Sequence, residues 1–145
     1  MASTTAYIDV PHSPDHVWQL IGGFGSLPDW LPYIPHSELS EGGRVRSLKN
    51  EGGDVIVERL QAFDQDARSY SYAILRAPFP VTGYLSTLTV RELPEAGTAR
   101  IEWSGTFTPV GTGDDEAVAL FHGIYTDGLA ALERALREQD PTAGR

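Results

Sequence analysis

Between Arg44 and Phe107 the chain keeps changing face at every second residue, and then it stops doing so. RVRSL (44–48), DVIVERLQAF (54–63), SYSYAIL (69–75), VTGYLSTLTV (81–90) and ARIEWSGTF (99–107) are alternating segments rich in β-branched and aromatic residues, the pattern of strands. EGGD, DQDA, RAPFP and PEAGT separate them, and these compositions make turns rather than crossover helices. Strands joined so closely pair antiparallel. From the cap at Thr112–Asp115 onward the period becomes helical for about 25 residues, roughly 37 Å. Asp114, Asp115 and Glu116 suit the first turn of that helix, and Arg134 and Arg137 suit its last. A run of strands closed by one long helix is α+β, not a parallel doubly wound sheet.

The start of the chain adds one strand and two short helices. TTAYIDV (4–10) alternates and ends at Pro11. Ser13 is a suitable N-cap and Pro14 fits a first helical turn, so 14–21 reads as a helix with Val17, Trp18 and Ile21 inward, stopped by Gly22 and Gly23. Leu27 to Leu31 reads as a second half-helix before Pro32. The length fits one domain, 1–145, with its ordered part at about 4–138 because QDPTAGR is expected to fray.

Composition removes several classes of function. There is no cysteine, hence no disulfide framework, thiolate nucleophile or Cys-ligated metal. His12 and His16 have i,i+4 spacing but Pro14 lies between them, and no HExxH pattern occurs, so neither a metal nor a cofactor is expected. The formal charge of −9 makes nucleic acid and anionic membrane surfaces poor partners. The first residues lack the features of a signal peptide and no apolar run approaches a membrane span, so a cytoplasmic protein, monomeric or weakly dimeric, is expected.

The inward faces carry the functional signal. Glu58 lies between Ile56 and Leu60 at i±2, which puts a carboxylate on an apolar face. Tyr70, Tyr72 and Ile74 share a face, as do Tyr84, Ser86, Leu88 and Val90, and likewise Ile101, Trp103, Gly105 and Phe107. On the last helix Ala117, Leu120, Phe121, Ile124, Gly128, Leu132 and Leu136 form a stripe. Gly128 costs about 1 kcal/mol in mid-helix and so makes room for something. A curved sheet with these faces inward has the composition of a small-molecule pocket.

The order and spacing of PDHVWQLIGGFGSLPDWLPYI, VERLQAFDQDARSYSYAIL, GYLSTLTV and GIYTDGLAALERAL resemble the START/Bet v 1-like helix-grip (SRPBCC) superfamily, nearest its bacterial polyketide cyclase/dehydrase-like branch. The resemblance covers residues 4 to about 137. It implies a seven-stranded curved antiparallel sheet around a long C-terminal helix, with two short helices and an internal hydrophobic cavity. It also implies that Trp30, Leu31, Pro32, Tyr33 and Ile34 close the wide end. By resemblance to the plant abscisic-acid receptors, Glu58, Tyr72, Phe79, Val81, Tyr84, Ser86, Leu120 and Ile124 would line the ligand site. Hormone recognition itself does not transfer, since Leu31 stands where those receptors have a cavity lysine and the short NEGGD replaces their gate loop. The Lys/Glu/Tyr set of the related plant Pictet–Spenglerases is also incomplete.

Each candidate has two readings. Glu58 is either an inward group of raised pKa, serving as general acid/base or ligand contact, or a half-exposed carboxylate paired with an arginine. Trp30 and Trp103 are cavity walls or plain core, and Tyr72 and Tyr84 are ligand hydrogen-bonders or edge tyrosines. Ser86 is a ligand contact or an ordinary strand serine, and has no base beside it. His122 reads as a surface or rim residue, and APFP (77–80) as a flap or a turn. GTG at 111–113 lacks the context of a nucleotide loop. The leading expectation is binding or transport of a small hydrophobic molecule, polyketide-like, aromatic or lipid-derived, in a cavity including Trp103 and Gly128. The alternative is a cyclase/dehydratase or lyase with Glu58 as general acid/base and Tyr72 or Tyr84 as oxyanion donor. A regulatory partner protein would need an exposed apolar patch that the sequence does not show.

Overall fold

The computed structural model describes residues 1–139. Seven antiparallel strands form one sheet, in the order β1-β7-β6-β5-β4-β3-β2. They are β1 (Ala2–Val10), β2 (His36–Ser40), β3 (Val45–Lys49), β4 (Val55–Asp64), β5 (Ser69–Arg76), β6 (Val81–Glu92) and β7 (Ala99–Pro109). Helices α1 (Pro14–Ile21) and α2 (Leu27–Trp30) lie between β1 and β2, and α3 (Asp114–Gln139) follows β7. This is the α+β helix-grip arrangement. Register shifts between Val57 and Glu58, between Leu60 and Ala62, and between Thr82 and Leu85 are the irregularities that bend the sheet.

Local chemistry sets the element ends. The Ser13 side chain accepts the His16 N–H at 3.2 Å, Pro14 occupies the first turn, and Gly22 caps α1. Strand β1 begins at Ala2 and not at residue 4, because Ala2 and Ser3 pair with Phe107 and Thr106. The edge strand β2 is absent from the sequence reading. HSELS is short, mostly exposed and without apolar alternation, and its strand partner is β3.

Helix α3 packs on β1 and β7. Its buried side is Ala117, Phe121, Tyr125, Gly128, Leu129, Ala131, Leu132 and Leu136. The expected stripe is therefore corrected at one end. Phe121 and Tyr125 take the inward position, so Leu120, about 100° round the helix from Phe121, is 38% exposed. Gly128 is needed for contact rather than for open space. A Cβ there would sit 2.6 Å from the Trp103 ring and 3.3 Å from Leu31. Gly105 serves the same purpose on β7, where a Cβ would collide with the Tyr125 hydroxyl.

These clearances predict opposite outcomes for one substitution on one helix. Gly128→Ala gains about 1 kcal/mol of helix propensity but forces the indole aside, so overpacking of about 1–3 kcal/mol should leave it no better than neutral and typically destabilised. At Gly123 an added Cβ meets nothing within 4 Å. Gly123→Ala should therefore stabilise by roughly 0.5–1 kcal/mol. Urea unfolding of both variants checks the pair, and equal gains would show that the indole yields freely.

Candidate functional site

Two polar clusters sit in an otherwise apolar interior. The first joins three strands to the α1–α2 connection. Arg46 on β3 and Glu58 on β4 stand directly opposite in the ladder. Arg46 Nε donates to Glu58 Oε1 at 2.8 Å and Nη2 lies 2.7 Å from the same oxygen. Nη1 donates to the Phe24 carbonyl at 3.0 Å and approaches the Tyr70 hydroxyl at 3.4 Å. The guanidinium lies over the Phe24 ring at 4.2 Å and the Tyr72 ring at 4.6 Å. Its side chain is 1% exposed and that of Glu58 is 9% exposed. Glu58 thus satisfies half of each reading made from the sequence: it faces inward, and it is paired with an arginine that is itself buried.

Burial pushes the Glu58 carboxyl above its ordinary value, with Arg46 opposing the rise. Burial also works against the Arg46 charge, yet Glu58 and the neighbouring tyrosines hold its pKa above the usual guanidinium value. The Arg46 contacts at 2.8 and 2.7 Å oppose that penalty on Glu58 and join the two side chains as an ion pair. Both Arg46 contacts fall on Oε1. Oε2 accepts no hydrogen bond among the described residues, and it is not among the sealed, unpartnered atoms.

The second cluster is a hydroxyl network. Trp103 Nε1 donates to the Tyr72 hydroxyl at 3.0 Å and to Ser86 Oγ at 3.1 Å. Ser86 Oγ donates to the Ser104 carbonyl at 2.7 Å, the Tyr125 hydroxyl approaches it at 3.4 Å, and the Tyr84 and Tyr125 hydroxyls bond to each other. Burial raises the pKa of Tyr72 and Tyr84 well above the usual phenol value and raises that of Tyr125. All three are therefore neutral hydroxyls at ordinary pH.

The clusters share one cavity of about 260 Å³. Glu58, Tyr72, Phe79, Tyr84, Trp103 and Ile124, all expected from the sequence, lie on its wall. Arg46, Phe121 and Tyr125 join them, and Tyr33, Asn50 and Asp127 add polar atoms or partly exposed surface. Five expected residues do not reach the cavity surface. Trp30 packs behind Trp103, its ring centre 5.9 Å away, and Ser86 is buried beneath the tyrosines. Val81 borders a neighbouring hollow with Phe79 and Tyr84. Leu120 faces outward, and Gly128 is covered by the Trp103 indole. Phe79 of the 77–80 loop packs edge-on against Phe121 with ring centres 5.3 Å apart. His122 is exposed, its Nδ1 3.2 Å from Thr4 Oγ1. Among the described residues no group of His, Asp and Glu side chains is arranged to hold a metal, and no helix is long and apolar enough to cross a membrane.

A profile of the family described as polyketide cyclase / dehydrase and lipid transport matches residues 1–137. The chain belongs to this family. The protein XoxI from Bacillus cereus is similar at 61% identity over 93% of this chain and 95% of its own, with a TM-score of 0.91. An uncharacterized protein from Bacillus thuringiensis is 59% identical over 92% of this chain and 98% of its own, also with a TM-score of 0.91. The Zhui aromatase/cyclase from Streptomyces sp. R1128 is 18% identical over 99% of this chain and 95% of its own, at a TM-score of 0.73. That last likeness is one of fold.

The ion pair sets the outcome of Glu58→Gln. A lightly partnered buried acid would tolerate that change or be mildly stabilised by it. Here the change leaves the Arg46 charge buried without its carboxylate. Glu58→Gln should cost about 3–5 kcal/mol in urea unfolding, whereas replacing the whole pair (Arg46→Met with Glu58→Leu) should be near neutral or stabilising by about 1–4 kcal/mol. A single variant as stable as wild type would show that Arg46 finds water or another acceptor.

Proposed function

We propose that this protein binds a small, mostly apolar molecule in the cavity and carries or sequesters it. The observation behind the reading is a cavity of about 260 Å³ whose wall is mainly aromatic and aliphatic, with tyrosine hydroxyls and one ion pair already fixed in it. Preorganised polar groups in an apolar wall orient a ligand without a further ordering cost. The volume lies just below the roughly 300–1,000 Å³ range of drug-sized ligand pockets. That favours a compact aromatic, polyketide-like or lipid-derived molecule over a long chain. The family's description, which joins polyketide cyclase/dehydrase with lipid transport, supports this breadth.

A second reading rests on Glu58, whose Oε2 has no hydrogen-bond donor among the described residues and which shares the cavity wall with Tyr72 and Tyr84. In a cyclase or dehydratase it would exchange a proton with the substrate while Tyr72 or Tyr84 holds a developing oxyanion. Loss of water from a poly-β-carbonyl substrate, followed by mass spectrometry, separates this reading from a carrier, which returns the molecule unchanged.

The binding reading predicts that a neutral two-ring dye such as prodan binds with micromolar affinity and blue-shifted emission. Ile124→Trp, at a half-buried position on the cavity wall, should weaken the dye by about tenfold or more, near 1.4 kcal/mol. Its unfolding midpoint should stay close to that of wild type. Undiminished binding by this variant would put the dye outside the cavity and remove the reading.

A further inference from the structure

The charges around the cavity say what kind of polar group a ligand should bring. Arg46 is the buried cation of the wall, and its charge is already matched by Glu58 at 2.7 Å. Its Nε and Nη1 are also engaged, with Glu58 and with the Phe24 carbonyl. An incoming carboxylate or phosphate would thus find no free positive charge among the described residues of the lining. It would meet a carboxylate instead, with Asp127, also on the lining, adding a second. Burying an anion beside a like charge is unfavourable, and the ligand would have to take up a proton to enter.

The complementary vacancy is an acceptor. Glu58 Oε2 has no protein donor among the described residues, and Glu58 is on the cavity wall. A hydroxyl or N–H placed there makes a charge-assisted hydrogen bond in a mostly apolar site, the stronger class of such bonds. Resting on the binding reading above, we infer that the cavity selects neutral, compact, mostly apolar molecules that carry a hydrogen-bond donor, a hydroxyl or N–H group for Glu58 Oε2, and rejects carboxylates and phosphates of the same shape.

Three naphthalene-based ligands of closely related shape test this at neutral pH on wild-type protein, by displacement of bound prodan. β-Naphthol carries a neutral donor, naphthalene carries no polar group, and β-naphthoate carries an anion. The expected order is β-naphthol tightest, about tenfold or more above naphthalene, the size associated with a hydrogen bond to a charged group. β-Naphthoate should be weakest. The doubly substituted protein, Arg46→Met with Glu58→Leu, has no buried charge to leave unpaired and should lose the preference of β-naphthol over naphthalene. Binding of β-naphthoate as tight as that of β-naphthol, or an undiminished preference in the double variant, would overturn the inference while leaving a ligand cavity in place. Failure of prodan and all three ligands to bind would instead remove the binding reading, and this inference with it.

Discussion

A guanidinium taken out of water has to be neutralised where it stands, and in this protein that requirement organises one end of the molecule. Arg46 reaches Glu58 across the β3–β4 ladder, the Phe24 carbonyl beyond α1, and the rings of Tyr70 and Tyr72 on β5. Three strands and the connection between the short helices therefore meet on a single charge. Such a pair adds little net stability over an apolar replacement, because desolvation consumes most of the attraction. What it does is fix geometry. The observed arrangement of these elements leaves neither charge stranded, and it holds the cavity wall with a carboxylate oxygen that has no donor among the described residues.

The adjoining part of the wall, which shares Tyr72 with the ion pair, is held by hydroxyls rather than charges. Tyr125 of α3 reaches Tyr84 and Ser86 of β6, and Trp103 of β7 reaches Tyr72 of β5. The helix approaches closely enough for this because residues 105 and 128 carry no side chain. The aromatic rings are thereby locked by hydrogen bonds at their tips as well as by packing at their faces, with Trp103 stacked on Tyr125 at 5.0 Å. A cavity with walls tied in this way is preformed, which is the property that a binding site for a small apolar molecule needs.

Much of this was legible in the residues. The alternating segments, the Ser13–Pro14 helix start and the capped final helix expressed local rules that tertiary contacts did not override. Strand parity put Glu58, Tyr72, Tyr84 and Trp103 on inward faces, and the family resemblance pointed to the first three as lining residues. Arg46 was missed because an arginine in a strand ordinarily faces solvent. Counting outward from the NEGGD turn, with Lys49 opposite Val55, would have set Arg46 opposite Glu58 and exposed the pair. Tyr125 was missed because Ile124 beside it suited an apolar stripe, and helix rotation within about 100° is not set by composition. HSELS left no signal, since an exposed edge strand is defined by its neighbour's backbone and not by its own side chains.

The central claim is that a ligand occupies the space between the ion pair and the hydroxyl network. Isoleucine methyl groups report on it directly. Ile34, Ile56, Ile74 and Ile124 line the cavity, whereas Ile21 and Ile101 are buried elsewhere and Ile8 lies on the first strand. In methyl-labelled protein titrated with β-naphthol, the account predicts shifts and intermolecular contacts at the four lining residues, with Ile8, Ile21 and Ile101 nearly still. Contacts at the latter three, or none at the lining four while the ligand is bound, would contradict it.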